Sequence, residues 1–124
     1  MARRLKKRAA NPVVMGAAAL LATLLVVLPG CATSNAIGLA RQACVHVNRS
    51  LVLYEHSRTE DGAHATADAN AAMNQLREGL PDAATAAGED GQFQGLMTTL
   101  AESARIPESN LVNALQDQCQ SVGS

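Results

Sequence analysis

Residues 35 to 54 read NAIGLARQACVHVNRSLVLY, and this stretch decides the fold. Ile37, Ala40, Cys44, Val47, Leu51 and Tyr54 recur at alternating spacings of three and four, the period of one face of an α-helix. Arg41, Gln42, Asn48, Arg49 and Ser50 fill much of the remaining circumference. Leu39, Val45 and Val52 widen the apolar area beyond a two-residue seam, which suits a globular bundle better than a two-stranded coil. Ser34 or Asn35 supplies a capping oxygen at the start of this first helix.

After this stretch the helical period continues. Thr59-Glu60-Asp61-Gly62 reads as a turn. A second helix follows from Ala63 to Leu80, with Ala65, Ala69, Ala72 or Met73, Leu76 and Leu80 on one face. Alanine favours the helix but buries little area, so this helix must approach its neighbours closely. Pro81 is expected to end or kink it near Gly79, with a restart over Pro81 to Ala87. Gly88-Glu89-Asp90-Gly91 reads as a second turn, and Gln92 to Arg105 as a third helix burying Phe93, Leu96, Met97, Leu100 and Ala104. Ile106-Pro107 interrupts before a last helix over Glu108 to Gln120, which carries Leu111, Leu115 and Cys119 at spacing four.

Before the first helix the composition changes. Arg3, Arg4, Lys6, Lys7 and Arg8 form a basic tip, and Val13 to Leu28 is a run of 16 uncharged residues. A membrane-spanning helix needs about 20 apolar residues, so the run fits the h-region of a secretory signal on the general export route. Leu28-Pro29-Gly30-Cys31 then resembles the lipobox of bacterial lipoproteins: an aliphatic residue at −3, a small one at −1, then cysteine. Pro29 stands where that family usually has Ala, Ser or Thr. The resemblance implies a diacylglycerol thioether on Cys31 and cleavage before it. It gives residues 1–30 as signal peptide, 31–35 as lipidated cysteine and tether, and 36–122 as the helical domain. Two or three acyl chains would anchor the protein stably at the outer face of the cell membrane, where one acyl group binds only marginally. Two alternatives stay open: an uncleaved anchor, and a cut at Ala32-Thr33-Ser34 that releases a soluble secreted protein. The alanine-rich body, without lysine after position 7, is similar to small uncharacterised exported proteins of high-GC actinobacteria; no activity carries over from that likeness.

With Cys31 lipidated or removed, Cys44 and Cys119 remain, and an even pair in an exported protein implies a disulfide. Both lie on the apolar stripe of their helices. An up-down-up-down bundle sets its first and last helices side by side and antiparallel, which allows the bridge. The expected fold is therefore all-α: a small four-helix, or three-plus-one, bundle closed by a disulfide.

Composition narrows the function. Tyr54 and Phe93 are the only aromatic residues and Trp is absent, so stacking platforms for single-stranded nucleic acid are missing. All eleven acidic residues follow position 54. Cut before Cys31, the protein keeps five arginines against eleven carboxylates, a formal charge of −6 that opposes nucleic acid and anionic headgroups alike.

His56, Glu60, His64 and Asp68 form the densest set of possible metal ligands, at i,i+4 spacing within each pair across a turn, but they match no recognised metal spacing and a solvated acidic turn with two exposed histidines is the ordinary reading. His46 and Tyr54 raise the idea of haem or an aromatic ligand, against the ordinary reading of a boundary histidine and a core tyrosine. His46, Tyr54, Met73, Phe93 and Met97 are the candidate lining of an interhelical crevice. No nucleophile elbow or phosphate-binding glycine loop occurs. The expectation is a non-catalytic envelope lipoprotein that works as an interaction or structural module and needs no cofactor. The alternative is a carrier of a small ligand or metal.

Overall fold

The computed structural model describes residues 34–123. The signal peptide, the lipobox, Cys31 and the first residues of the tether lie outside the described residues. Four α-helices make up the domain: α1 (Ser34–Thr59), α2 (Gly62–Glu89), α3 (Gln94–Glu102) and α4 (Val112–Gly123). Single 3-10 turns at Gly91–Phe93 and Glu108–Asn110 lead into α3 and α4. No strand occurs among the described residues, and none of their helices is long and apolar enough to cross a membrane.

The helices α1 and α2 form a long antiparallel hairpin. Its turn needs a left-handed residue, supplied by Gly62 at φ 64°. Cross-links fix the register. Asn35 Nδ2 donates to Glu89 Oε1 at 2.6 Å, His46 Nδ1 lies 3.0 Å from Gln75 Oε1, and Ser50 Oγ lies 2.8 Å from the Ala72 carbonyl oxygen. Asn35 thus ties α1 to the far end of α2 through its side chain. Between these links the backbones come close. A Cβ built on Gly79 would stand 3.1 Å from His46 Cβ and 3.2 Å from the Ala43 carbonyl oxygen. The alanines do the same work elsewhere, with Ala36, Ala40, Ala43, Ala83 and Ala86 all fully buried.

Pro81 does not end α2, which is helical from Gly62 to Glu89. Pro81 and Arg77 both sit on the exposed side, so the Arg77 carbonyl that loses its helical donor faces water. Buried Leu76 and Gly79 before the proline, and Ala83 and Ala86 after it, hold both halves against the core. Packing against α1 overrides the local preference to break.

The short helices α3 and α4 complete a four-membered ring, with α3 against α2 and α4 against both α3 and α1. Phe93, Leu96 and Leu100 enter the core from the α3 side, and Leu111, Leu115 and Val122 from the α4 side. The third and fourth helices are shorter than the periodicity suggests. Ser103–Arg105 form turns, and Leu111 separates the Glu108–Asn110 turn from α4. Ala104 is consequently exposed rather than buried. At 9 and 12 residues, α3 and α4 cover only part of a hairpin whose arms have 26 and 28. Cys44 and Cys119 are bonded with a Cα–Cα distance of 5.5 Å, joining α1 to α4 as expected.

Candidate functional site

Two surface features and one buried cluster carry chemistry. The first feature is an open crevice of about 480 Å³ between the far half of the hairpin and the connection from α3 to α4. Tyr54 and Ser57 come from α1, Met73 from α2, and Ile106, Pro107 and Glu108 from the connection. Helical spacing puts Tyr54 and Ser57 on one face of α1, and Pro107 holds the connection extended at φ −55°, ψ 141° as it passes over them.

The buried cluster forms the inner wall. Glu108 is 5% exposed, and its Oε1 lies 2.6 Å from Ser50 Oγ. Ser50 is fully buried and also contacts the Ala72 carbonyl oxygen. Burial pushes the Glu108 carboxyl above its ordinary value, and the Ser50 bond partly offsets this. Arg105, at the rim, pairs with Glu102 at 2.9 Å rather than with Glu108.

Neither member of this cluster was legible as a site. Ser50 reads as one of the polar residues beside the apolar stripe of the first helix, and Glu108 as the first residue of the last helix. Their meeting depends on a tertiary contact 58 residues apart. A retrospective signal is the position of Ser50, one turn from both Val47 and Tyr54 and so on the apolar stripe itself.

The second feature is the outer face of α1. Val45 and Val52, two turns apart, are 48% and 57% exposed, against the expectation that they broaden the core. Beside them Asn48, Arg49, Val52, Leu53 and Gln75 line a shallow depression of about 450 Å³.

The residues proposed from sequence are dispersed. Tyr54 and Met73 do share the crevice. Phe93 is buried at the opposite end of the bundle beside Ile37 and Val122, and Met97 packs against the core from α3. His46 lies on the α1–α2 seam, bonded to Gln75 and 3.6 Å from Glu78 Oε2, and no hydrogen bond or crevice joins it to Tyr54. His56, Glu60, His64 and Asp68 surround the hairpin turn without converging. Among the described residues no group of three or more His, Cys, Asp or Glu side chains is placed to hold a metal ion. Glu89 and Asp90 have structural roles: Glu89 holds Asn35 across the hairpin, and Asp90 Oδ1 accepts from the Gln92 backbone N–H at 3.0 Å and starts the 3-10 turn.

No protein-family model, no curated protein and no solved structure matches the sequence. The fold and the geometry above therefore carry the functional reading by themselves.

Proposed function

We propose that this is a non-catalytic cell-envelope lipoprotein, anchored through Cys31, that presents the outer face of α1 to another envelope protein. The observation that carries it is the pair of exposed valines, Val45 and Val52, on a domain whose other large apolar side chains are buried or half-buried. Apolar side chains left in water on one helix face are a surface on which a protein partner can dock. The anchor would also set the orientation of the domain. Ser34 starts α1 three residues after Cys31, so acyl chains there would set the Ser34 end at the bilayer and project the hairpin turn about 40 Å outward.

Native mass spectrometry of protein purified from its host tests this reading, comparing the wild type with the double variant Val45→Ser, Val52→Ser. The wild type should carry a stoichiometric protein partner and the variant should lose it, while stability stays within about 0.5 kcal/mol because the side chains are exposed. An unmodified or absent Cys31 at the mature N-terminus would remove the anchor.

A second reading, a small-ligand carrier, is favoured by the crevice beside Tyr54 and Met73. Its volume lies within the range of small-molecule sites, roughly 300–1,000 Å³.

A further inference from the structure

The two carboxyl oxygens of Glu108 have different environments. Oε1 is engaged with Ser50. Every buried side-chain nitrogen and oxygen among the described residues has a hydrogen-bond partner, so Oε2, which makes no such bond, is the oxygen that solvent reaches. Glu108 lines the crevice, so Oε2 is reached from there. Around it are the apolar surfaces of Met73, Ile106 and Pro107 and the ring of Tyr54. The result is a single acidic group, 5% exposed, at the inner wall of a mainly apolar crevice.

Proton counting distinguishes the protonated from the ionised form of Glu108. Ser50 has one hydroxyl proton but contacts two oxygens, the Ala72 carbonyl at 2.8 Å and Glu108 Oε1 at 2.6 Å. Both contacts are hydrogen bonds only when Glu108 is protonated, donating to Ser50, which donates to Ala72. The ionised form leaves Ser50 one proton for two acceptors. The surrounding charges do not neutralise it. Arg58, 5.8 Å from the centre of the Tyr54 ring, pairs with Glu55. Arg105 pairs with Glu102. On α2, Asp68 stands one turn before Ala72 and adds negative charge, and α4 contributes no basic side chain. No cationic group lies within ion-pair distance of Glu108 among the described residues.

We infer that the crevice binds a small organic cation, a protonated amine on an apolar body, with its ammonium group at Glu108 Oε2 and its hydrocarbon against Met73, Ile106 and Pro107. The ammonium is the missing counter-charge. Where the free carboxyl is protonated, binding releases its proton to solvent, and the Ser50 hydroxyl proton turns from the Ala72 carbonyl to Oε1. The excess of carboxylates over arginines draws cations toward the domain. This inference rests on the carrier reading and is independent of the α1 face.

Tyr54 is the only tyrosine and Trp is absent, so intrinsic fluorescence reports on the crevice alone. We would titrate the protein with hexylammonium, hexanol and hexanoate, and repeat the series with Glu108→Gln. That variant keeps a donor and an acceptor for Ser50, and circular dichroism verifies its fold. Hexylammonium should bind saturably and at least about tenfold tighter than hexanol, with proton release seen as a buffer-dependent heat. Glu108→Gln should remove the tenfold preference and the proton release and leave hexanol binding intact. Equal binding of alcohol and ammonium, or preference for hexanoate, overturns the cation assignment and leaves a carrier. Saturable binding of none of the three overturns both.

Discussion

At the end of the molecule holding Ser34, Glu89 and Gly123, α1 is fixed by a covalent bond to α4 and by backbone-close packing of alanines and Gly79 on α2. Toward the Thr59–Gly62 turn the same two helices run on with no buried residue between Leu51 and Ala71. There the α3–α4 connection reaches the hairpin through one polar contact, Ser50 to Glu108. The contrast follows from composition. Alanine and glycine let helices approach closely but remove little apolar area from water, at about 25 cal/mol per Å². A core made of them needs a staple. The far half has no staple and no buried side chain between Leu51 and Ala71, and the candidate crevice lies where the small core gives out.

The disulfide should therefore dominate stability. It joins residues 75 apart, and the chain-entropy model assigns such a loop about 4.5 kcal/mol. Replacing both cysteines, Cys44→Ser with Cys119→Ser, should lower the melting temperature by roughly 20–30 °C for a domain of this size. Hydrogen exchange should rise first in α4, which the bond holds to α1. A loss of only a few degrees would mean that the alanine packing alone secures this end.

Close packing ranks next. Gly79→Leu places a side chain where a Cβ already stands 3.1 Å from His46 Cβ and 3.2 Å from the Ala43 carbonyl oxygen. The helices must separate, at about 2–3 kcal/mol. Gly38→Ala is the matched control: nothing lies within 4 Å of its Cβ position, so the helix should gain about 0.5–1 kcal/mol. Chemical denaturation of the pair separates packing from propensity. The same sign for both would refute the close α1–α2 contact.

This order also explains what was legible in the sequence. The stripe from Ile37 to Tyr54, the turn at Gly62 and the Cys44–Cys119 pair are visible because each rests on local period, local turn chemistry or cysteine arithmetic. Pro81 misleads because its local preference competes with five buried α2 residues, Ala72 to Ala86, whose packing on the core holds the helix through it. Val45 and Val52 mislead because apolar type does not tell which side of a helix its partners occupy; α2 and α4 both pack elsewhere on α1. Ser50 and Glu108 are opaque for a different reason. Each is an ordinary polar residue until a fold brings residues 58 apart within 2.6 Å.

The smallest effect belongs to the polar contact, and it has a distinctive pH dependence. Burial raises the folded-state pKa of Glu108 above its ordinary value of 4.5. Between these two values the folded protein binds more protons than the unfolded one, so stability falls as pH rises through that window. Below the ordinary value the protonated network is intact in full. Above the raised value the cost of the buried charge is constant. Glu108→Gln mimics the protonated form, so it should leave stability nearly unchanged at pH 4 and raise it at pH 7. The gain should be on the order of 1 kcal/mol for each pH unit of the window. Denaturation of wild type and variant at both pH values checks this. A variant less stable than wild type at pH 7 would show that the carboxylate, not the acid, is the form that ties the α3–α4 connection to the hairpin. The far half would then be held by a charged contact rather than a neutral one.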